Sequence, residues 1–163
     1  MATKIELISV APEITRTLSE VGKLIEKSGL EKNLLTLVEL RASQINGCAF
    51  CLALHMREGQ ALGESIDRLT GVAAWHEAPW YSERERLALE WTEVLTRIAA
   101  ERPHPDLLPR MREHFSDREL VYLTLAVTLI NSYNRFNVAF GTSPELADVV
   151  FKRLHGQAAP AHA

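Results

Sequence analysis

Apolar residues recur at three- and four-residue steps along nearly all of this 163-residue chain, and no stretch alternates apolar and polar residues long enough to form a strand. That pattern restricts the fold to packed helices. Pro12 suits a first helical turn and Gly29 ends the helix it opens. A second helix runs from about Glu31 to Ile45, with Leu34, Leu35, Val38, Ala42 and Ile45 as its apolar stripe. Asn46-Gly47 breaks the chain, a third helix carries Cys48 to about Leu62 before Gly63, and a shorter one spans Ser65 to about Trp75. Ser82-Glu83-Arg84-Glu85 is a capping box, in which the serine hydroxyl and the glutamate carboxylate each satisfy a backbone amide. The helix it opens continues through Leu87, Ala88, Trp91, Val94, Leu95, Ile98 and Ala99 until Pro103 and Pro105 close the segment. A second box, Ser116-Asp117-Arg118-Glu119, opens a helix reaching about Phe140. Much of that helix is apolar on every side, so it belongs at the centre or at a subunit interface. A last helix begins near Pro144 and reaches His155. The expected architecture is all-α: a single compact domain of about seven or eight helices over residues 1–163, ordered from about 12 to 155, with a flexible tail at 156–163.

The composition narrows the function classes. Apolar residues make up 47% and charged residues 24%, which suits a soluble globular protein. A formal charge of −3 offers no basic surface for nucleic acid and no polybasic membrane anchor. The segment Met1 to Ile8 is too short for a secretory signal, and the apolar run Leu120 to Ile130 is too short to span a bilayer. A cytoplasmic location is expected.

Chemistry concentrates at Cys48-Ala-Phe-Cys51, the only two cysteines of the chain, followed by His55. Steps of three and four residues on a helix place Cys48, Cys51 and His55 within an arc of roughly 60°. In a reducing cytosol a close cysteine pair is more often catalytic, redox-sensing or metal-binding than a permanent staple. The loop it would close is also too small to constrain the unfolded chain much. A helix N-terminus favours thiolate, and a neutral His55 leaning back towards Cys51 can accept a thiol proton. The chemistry this suggests is peroxide reduction, in which one thiolate becomes a sulfenic acid and the second thiol condenses with it. An external dithiol then reopens the bridge. The reading makes Cys51 the first attacker, one turn from His55, and Cys48 the sulfur more accessible to the reductant. Zinc held by the pair with His55 and His76, and two inert buried thiols, remain as alternatives. His104, His114, His155 and His162 fall in polar or loop contexts and are expected to be solvated. Asn131, Asn134 and Asn137 recur on an apolar helix, which calls for polar packing against another helix or subunit. Trp91 belongs to the core stripe, and Tyr122 and Tyr133 to the core or an interface.

The run Leu40 to Cys51 with His55 closely resembles the alkylhydroperoxidase D-like branch of the carboxymuconolactone decarboxylase family. The resemblance continues through Trp75, Ser82 to Glu93, and Asn131 to Asn137. It implies an all-α fold assembling into trimers or hexamers, and peroxidase activity through the two cysteines with a histidine and an upstream glutamate relaying protons. Cys48, Cys51 and His55 carry over directly. Where peroxidase members carry that glutamate this chain has Thr36, and where they often carry a histidine it has Phe50. Glu39, one helical turn after Thr36, is the expected substitute. The resulting expectation is a thiol-dependent peroxidase acting on hydrogen peroxide or organic hydroperoxides without metal, flavin or haem. Its reductant is expected to be a dithiol, protein-borne or a lipoyl group. Two other readings stay open: decarboxylation of a lactone, the activity that names the family, and a non-catalytic oligomer whose disulfide reports redox state.

Overall fold

The computed structural model describes residues 4–100 and 102–156, so 157–163 of the expected tail, His162 included, lie outside the described residues. The helices are α1 (Leu7–Val10), α2 (Pro12–Glu26), α3 (Lys32–Asn46), α4 (Ala49–Ala61), α5 (Ile66–Gly71), α6 (Glu83–Thr96), α7 (Leu107–Arg112), α8 (Asp117–Phe140) and α9 (Leu146–His155). A 3-10 turn, Val72–Ala74, extends α5. Among the described residues there is no strand, so the all-α expectation holds. The short α1 and α7 are additions to the sequence reading and raise the count to nine among the described residues.

Helix α3 is the axis of the packing. One side, Leu34, Leu35 and Val38, joins Leu87 and Ala88 of α6, Met111 of α7 and Leu123 and Val127 of α8 in the main core. The other, Leu37 and Leu40, packs with Leu69, Val72, Trp75, Tyr81 and Leu89. Leu37, Val38 and Leu40 are all at 0% exposure, and burial of such side chains stabilises the fold by about 1.5–3 kcal/mol each. The long α8, expected at the centre or at a subunit interface, buries a single stripe within the chain, Leu120, Leu123, Ala126, Val127, Ile130, Asn131 and Asn134. Val121 and Val138 on its other side are exposed. The shorter α3 is the enclosed helix because it has neighbours on both sides, α6 and α8 on one and α4 on another.

Both capping boxes form as expected, at Ser82/Glu85 and Ser116/Glu119. Helix α6 stops at Thr96, short of the apolar spacing that runs to Ala99, and Ile98 is left exposed. The periodicity there outlasts the surface available to pack against. No helix among the described residues is long and apolar enough to cross a membrane.

The junction between α3 and α4 sets the site. Gly47 takes a left-handed conformation, φ 66°. Its amide reaches the Gln44 carbonyl and the Cys48 amide reaches the Ser43 carbonyl, at 3.3 and 3.0 Å. This is a Schellman termination, which ties off the last carbonyls of α3. Cys48 immediately becomes the N-cap of α4, its sulfur accepting from the Cys51 amide at 3.3 Å. One residue therefore closes one helix and opens the next. An added Cβ at Gly47 meets nothing within 4 Å, so only the backbone cost remains. Gly47→Ala should lower stability in urea unfolding by about 1–2 kcal/mol; an unchanged midpoint would show that the left-handed turn does not fix the junction.

Candidate active site

Three helices build the site around the thiol pair. Cys48 and Cys51 lie in a small cluster with Ala42 of α3 and Ile130 of α8, partly covered by Phe50 and Tyr133. Both sulfurs are reduced and both residues are buried, at 1% and 2% exposure. The expected greater accessibility of Cys48 is therefore absent: serving as the N-cap turns its side chain back over the first turn of α4 instead of outward.

The three asparagines of α8 anchor the junction to that helix. Asn46 donates to the side-chain oxygens of Asn131 and Asn134 at 3.0 and 2.8 Å. Asn134 in turn donates to Ser43 at 3.0 Å, and Asn131 to Thr96 at 3.0 Å. The expectation of polar packing against another helix is met for these two. Asn137 does more, because its amide donates to the Cys51 sulfur at 3.3 Å. Sequence reasoning misses that contact, since the two residues lie 86 positions apart.

The two sulfurs are not equivalent. A hydrogen bond from the Cys51 thiol, then the Cys51 backbone amide, the Asn134 side chain and the positive charge of His55 outweigh burial and bring Cys48 down to about 6. Cys51, which donates to that thiolate and is itself buried, is pushed up. Of the two thiols Cys48 is the one whose ionisation is favoured, whereas the sequence reading makes Cys51 the first attacker. The N-cap position explains it, because Cys48 receives the first-turn amide.

His55 is buried at 8% exposure. Its Nδ1 lies 2.6 Å from Glu58 Oε2 and 3.3 Å from Glu39 Oε2. Burial opposes the charge on the ring, but the Glu39 and Glu58 carboxylates and the Cys48 thiolate raise it to about 9. Burial raises Glu39 to about 7 despite the attraction of His55. Burial also opposes ionisation of Glu58, yet its hydrogen bond and charge interaction with His55, then with His155, hold it below the usual carboxylate range. Of the four residues singled out in the sequence, the structure sets Cys48 against Cys51 and His55 against Glu39, and it adds Glu58, which has a readable signal in its position three residues after His55. It also adds His155, expected to be solvated, whose Nε2 lies 3.2 Å from Glu58 Oε1. Thr36 instead turns its hydroxyl to the Lys32 carbonyl at 3.0 Å. His76 stacks on Trp75 at 3.7 Å, its ring exposed to solvent.

Glu39, His55 and Glu58 are the described residues whose ligand atoms, all within 4.8 Å of one another, come within reach of one cation. The cysteines and His76 do not belong to that group, so the zinc arrangement read from the sequence is not assembled.

The paired charges make a prediction about stability. His55, raised from 6.5 to about 9, contributes stability that is complete below pH 6.5 and lost as pH rises through 9. Cys48, lowered from 9.0 to about 6, contributes stability that is present above pH 9 and lost as pH falls through 6. Between pH 7 and 9 the two oppose each other. In Cys48→Ser only the histidine contribution survives, so urea-measured stability should fall over that interval more steeply than in the unaltered protein. An equal or shallower slope would contradict the charge assignment.

Residues 12–94 match the model of the carboxymuconolactone decarboxylase family. The chain is 34% identical over 141 residues to the uncharacterized protein YdfG of Bacillus subtilis (strain 168), covering 86% of this chain and 96% of that one. A crystal structure of a protein of unknown function from Agrobacterium tumefaciens, described as an AhpD antioxidant defence protein, superposes with a TM-score of 0.83 at 37% identity, covering 86% and 97% of the two chains. An uncharacterized peroxidase-related protein from Ralstonia eutropha JMP134, with an alkylhydroperoxidase AhpD core, shares the fold at a TM-score of 0.76 and 19% identity over 89% of this chain and 76% of that one. By its helices, its cysteine junction and these relatives, the chain belongs to the carboxymuconolactone decarboxylase family, in its alkylhydroperoxidase D-like branch.

Proposed function

We propose that this protein is a thiol-dependent peroxidase that reduces hydrogen peroxide or an organic hydroperoxide through Cys48 and Cys51, assisted by His55 and Glu39. The observation that carries the reading is a pair of buried free thiols at a helix N-terminus, the Cys51 amide donating to the Cys48 sulfur at 3.3 Å, on the same helix as a histidine held by two carboxylates. A structural cysteine has no use for donors that favour its thiolate, whereas a peroxide-attacking one depends on them.

The Cys48 thiolate attacks the terminal peroxide oxygen, the O–O bond breaks, and its electron pair leaves on the departing alkoxide. His55 gives that oxygen its proton, so the products are an alcohol, or water, and a Cys48 sulfenic acid. Cys51 then attacks the sulfenic sulfur. A disulfide forms, and the hydroxyl leaves as water with the Cys51 thiol proton. A dithiol, carried by a protein or a lipoyl group, reduces the bridge by two exchanges and becomes a disulfide itself. Glu39, titrating near neutrality beside His55, supplies the imidazole with a proton in place of the one given to the product, and the thiol protons that the dithiol brings restore both groups. The working form is a homo-oligomer, a trimer or hexamer, in the cytoplasm.

Peroxide consumption driven by dithiothreitol should disappear in both Cys48→Ser and Cys51→Ser and fall about 10²-fold in Glu39→Gln. Undiminished turnover in either cysteine variant would overturn the reading. Absence of turnover in the unaltered protein, together with peroxide-dependent change in oligomer size, would replace it with a redox sensor.

A further inference from the structure

The last helix, α9, contributes no residue to the thiol pair, yet its final residue reaches the residue that holds the base. Ala147 and Phe151 are buried at 0% and 5% exposure and pack with Leu54 of α4, alongside Phe50 and Ala53. Positions 147, 151 and 155 share one face at four-residue steps. His155 therefore rides the same stripe that locks α9 against α4, and its ring lies 4.7 Å from that of Phe151, tilted by 36°. Across the contact, Glu58 divides its two oxygens: Oε2 takes His55 Nδ1 at 2.6 Å and Oε1 takes His155 Nε2 at 3.2 Å. Side-chain exposure falls from 43% at His155 to 18% at Glu58 and 10% at His55, so the chain of contacts runs from the surface inward.

We propose that His155 and Glu58 are positioning residues for the base of the thiol pair: His155 holds one oxygen of Glu58, and the other oxygen fixes the His55 ring by Nδ1, leaving Nε2 as the nitrogen that exchanges a proton with sulfur. The proposal rests on the thiol-pair reading of the site and divides labour between its two carboxylates. Glu58, occupied on both oxygens, is the fixed anion. Glu39, at 3.3 Å from the same nitrogen and with no other hydrogen-bond partner among the described residues, is free to gain and lose a proton. Two carboxylates in unlike settings commonly split their roles in this way. Orientation of an imidazole by a carboxylate on its far nitrogen is also what makes the near nitrogen an effective base. The charged groups facing His55 are Glu39 from α3, Glu58 from its own helix and Cys48 at that helix's cap, while His155 of α9 meets Glu58. Glu26 of α2 acts on Glu39, and Glu39 in turn acts on Tyr133 of α8.

The test follows the His55 ring by nuclear magnetic resonance in the reduced protein, without peroxide, through a pH titration. The unaltered protein should titrate near pH 9. Glu58→Gln removes the adjacent anion and should lower the midpoint by about 1–3 pH units. His155→Ala leaves Glu58 loosely held and should lower it by a smaller amount, about half a unit or more. His155→Gln retains an amide that can donate to the same oxygen and should restore the midpoint. Thermal unfolding of each variant separates loss of fold from loss of orientation, because a merely structural His155 would shift melting and leave the titration in place. An unchanged or raised midpoint in His155→Ala, or equal falls in His155→Ala and His155→Gln, would overturn the proposal. Since no peroxide is consumed, the peroxidase reading can fail while this result stands, and this proposal can fail while turnover persists.

Discussion

A helix-terminal amide donating to a sulfur lets this fold favour a charge where charges are costly. Desolvation works against a thiolate at Cys48, as it works against every buried ion. The first-turn amide of α4, with the Cys51 thiol and the Asn134 side chain beside it, offsets that cost. None of these donors would be in place without the junction at Gly47, where α3 ends and α4 begins within a single residue. The redox pair is therefore a consequence of how two helices are joined, and α8 holds the join in place through Asn131, Asn134 and Asn137.

The charge has a partner of opposite sign one helical face away. His55 stays protonated because two carboxylates, one from α3 and one from its own helix, together outweigh its burial. The imidazolium is held by both carboxylates, and the charge of Glu58 in turn disfavours ionisation of Glu39. Because Glu39 titrates near neutrality and Glu58 lies below the usual carboxylate range, the pair holds one member that can exchange a proton and one that stays fixed.

Much of this arrangement is legible in the amino-acid sequence. The helical spacing of Cys48, Cys51 and His55 survives folding because all three are local to one helix and its cap. The two capping boxes are equally local and form where their residues predict them. Glu39 is legible because one turn of α3 moves a side chain little. What the sequence hides depends on partners distant along the chain. Asn137 and Cys51 are 86 positions apart, and His155 and Glu58 are 97 apart. Only packing brings them together, so His155 reads as a surface residue near a frayed end. The more acidic sulfur is hidden for a related reason: proximity to His55 favours Cys51, whereas the cap position puts the first-turn amide on Cys48. Helices α1 and α7, of four and six residues, fall below the length at which periodicity can be recognised.

The ultraviolet absorbance of thiolate measures the central charge directly. The reduced protein, titrated between pH 5 and 10, should show one thiolate per chain appearing with a midpoint below the ordinary thiol range, absent in Cys48→Ser and moved to higher pH in Cys51→Ser. A reduced protein in which no thiolate forms until the range of an ordinary thiol, about 8.5, would contradict the account.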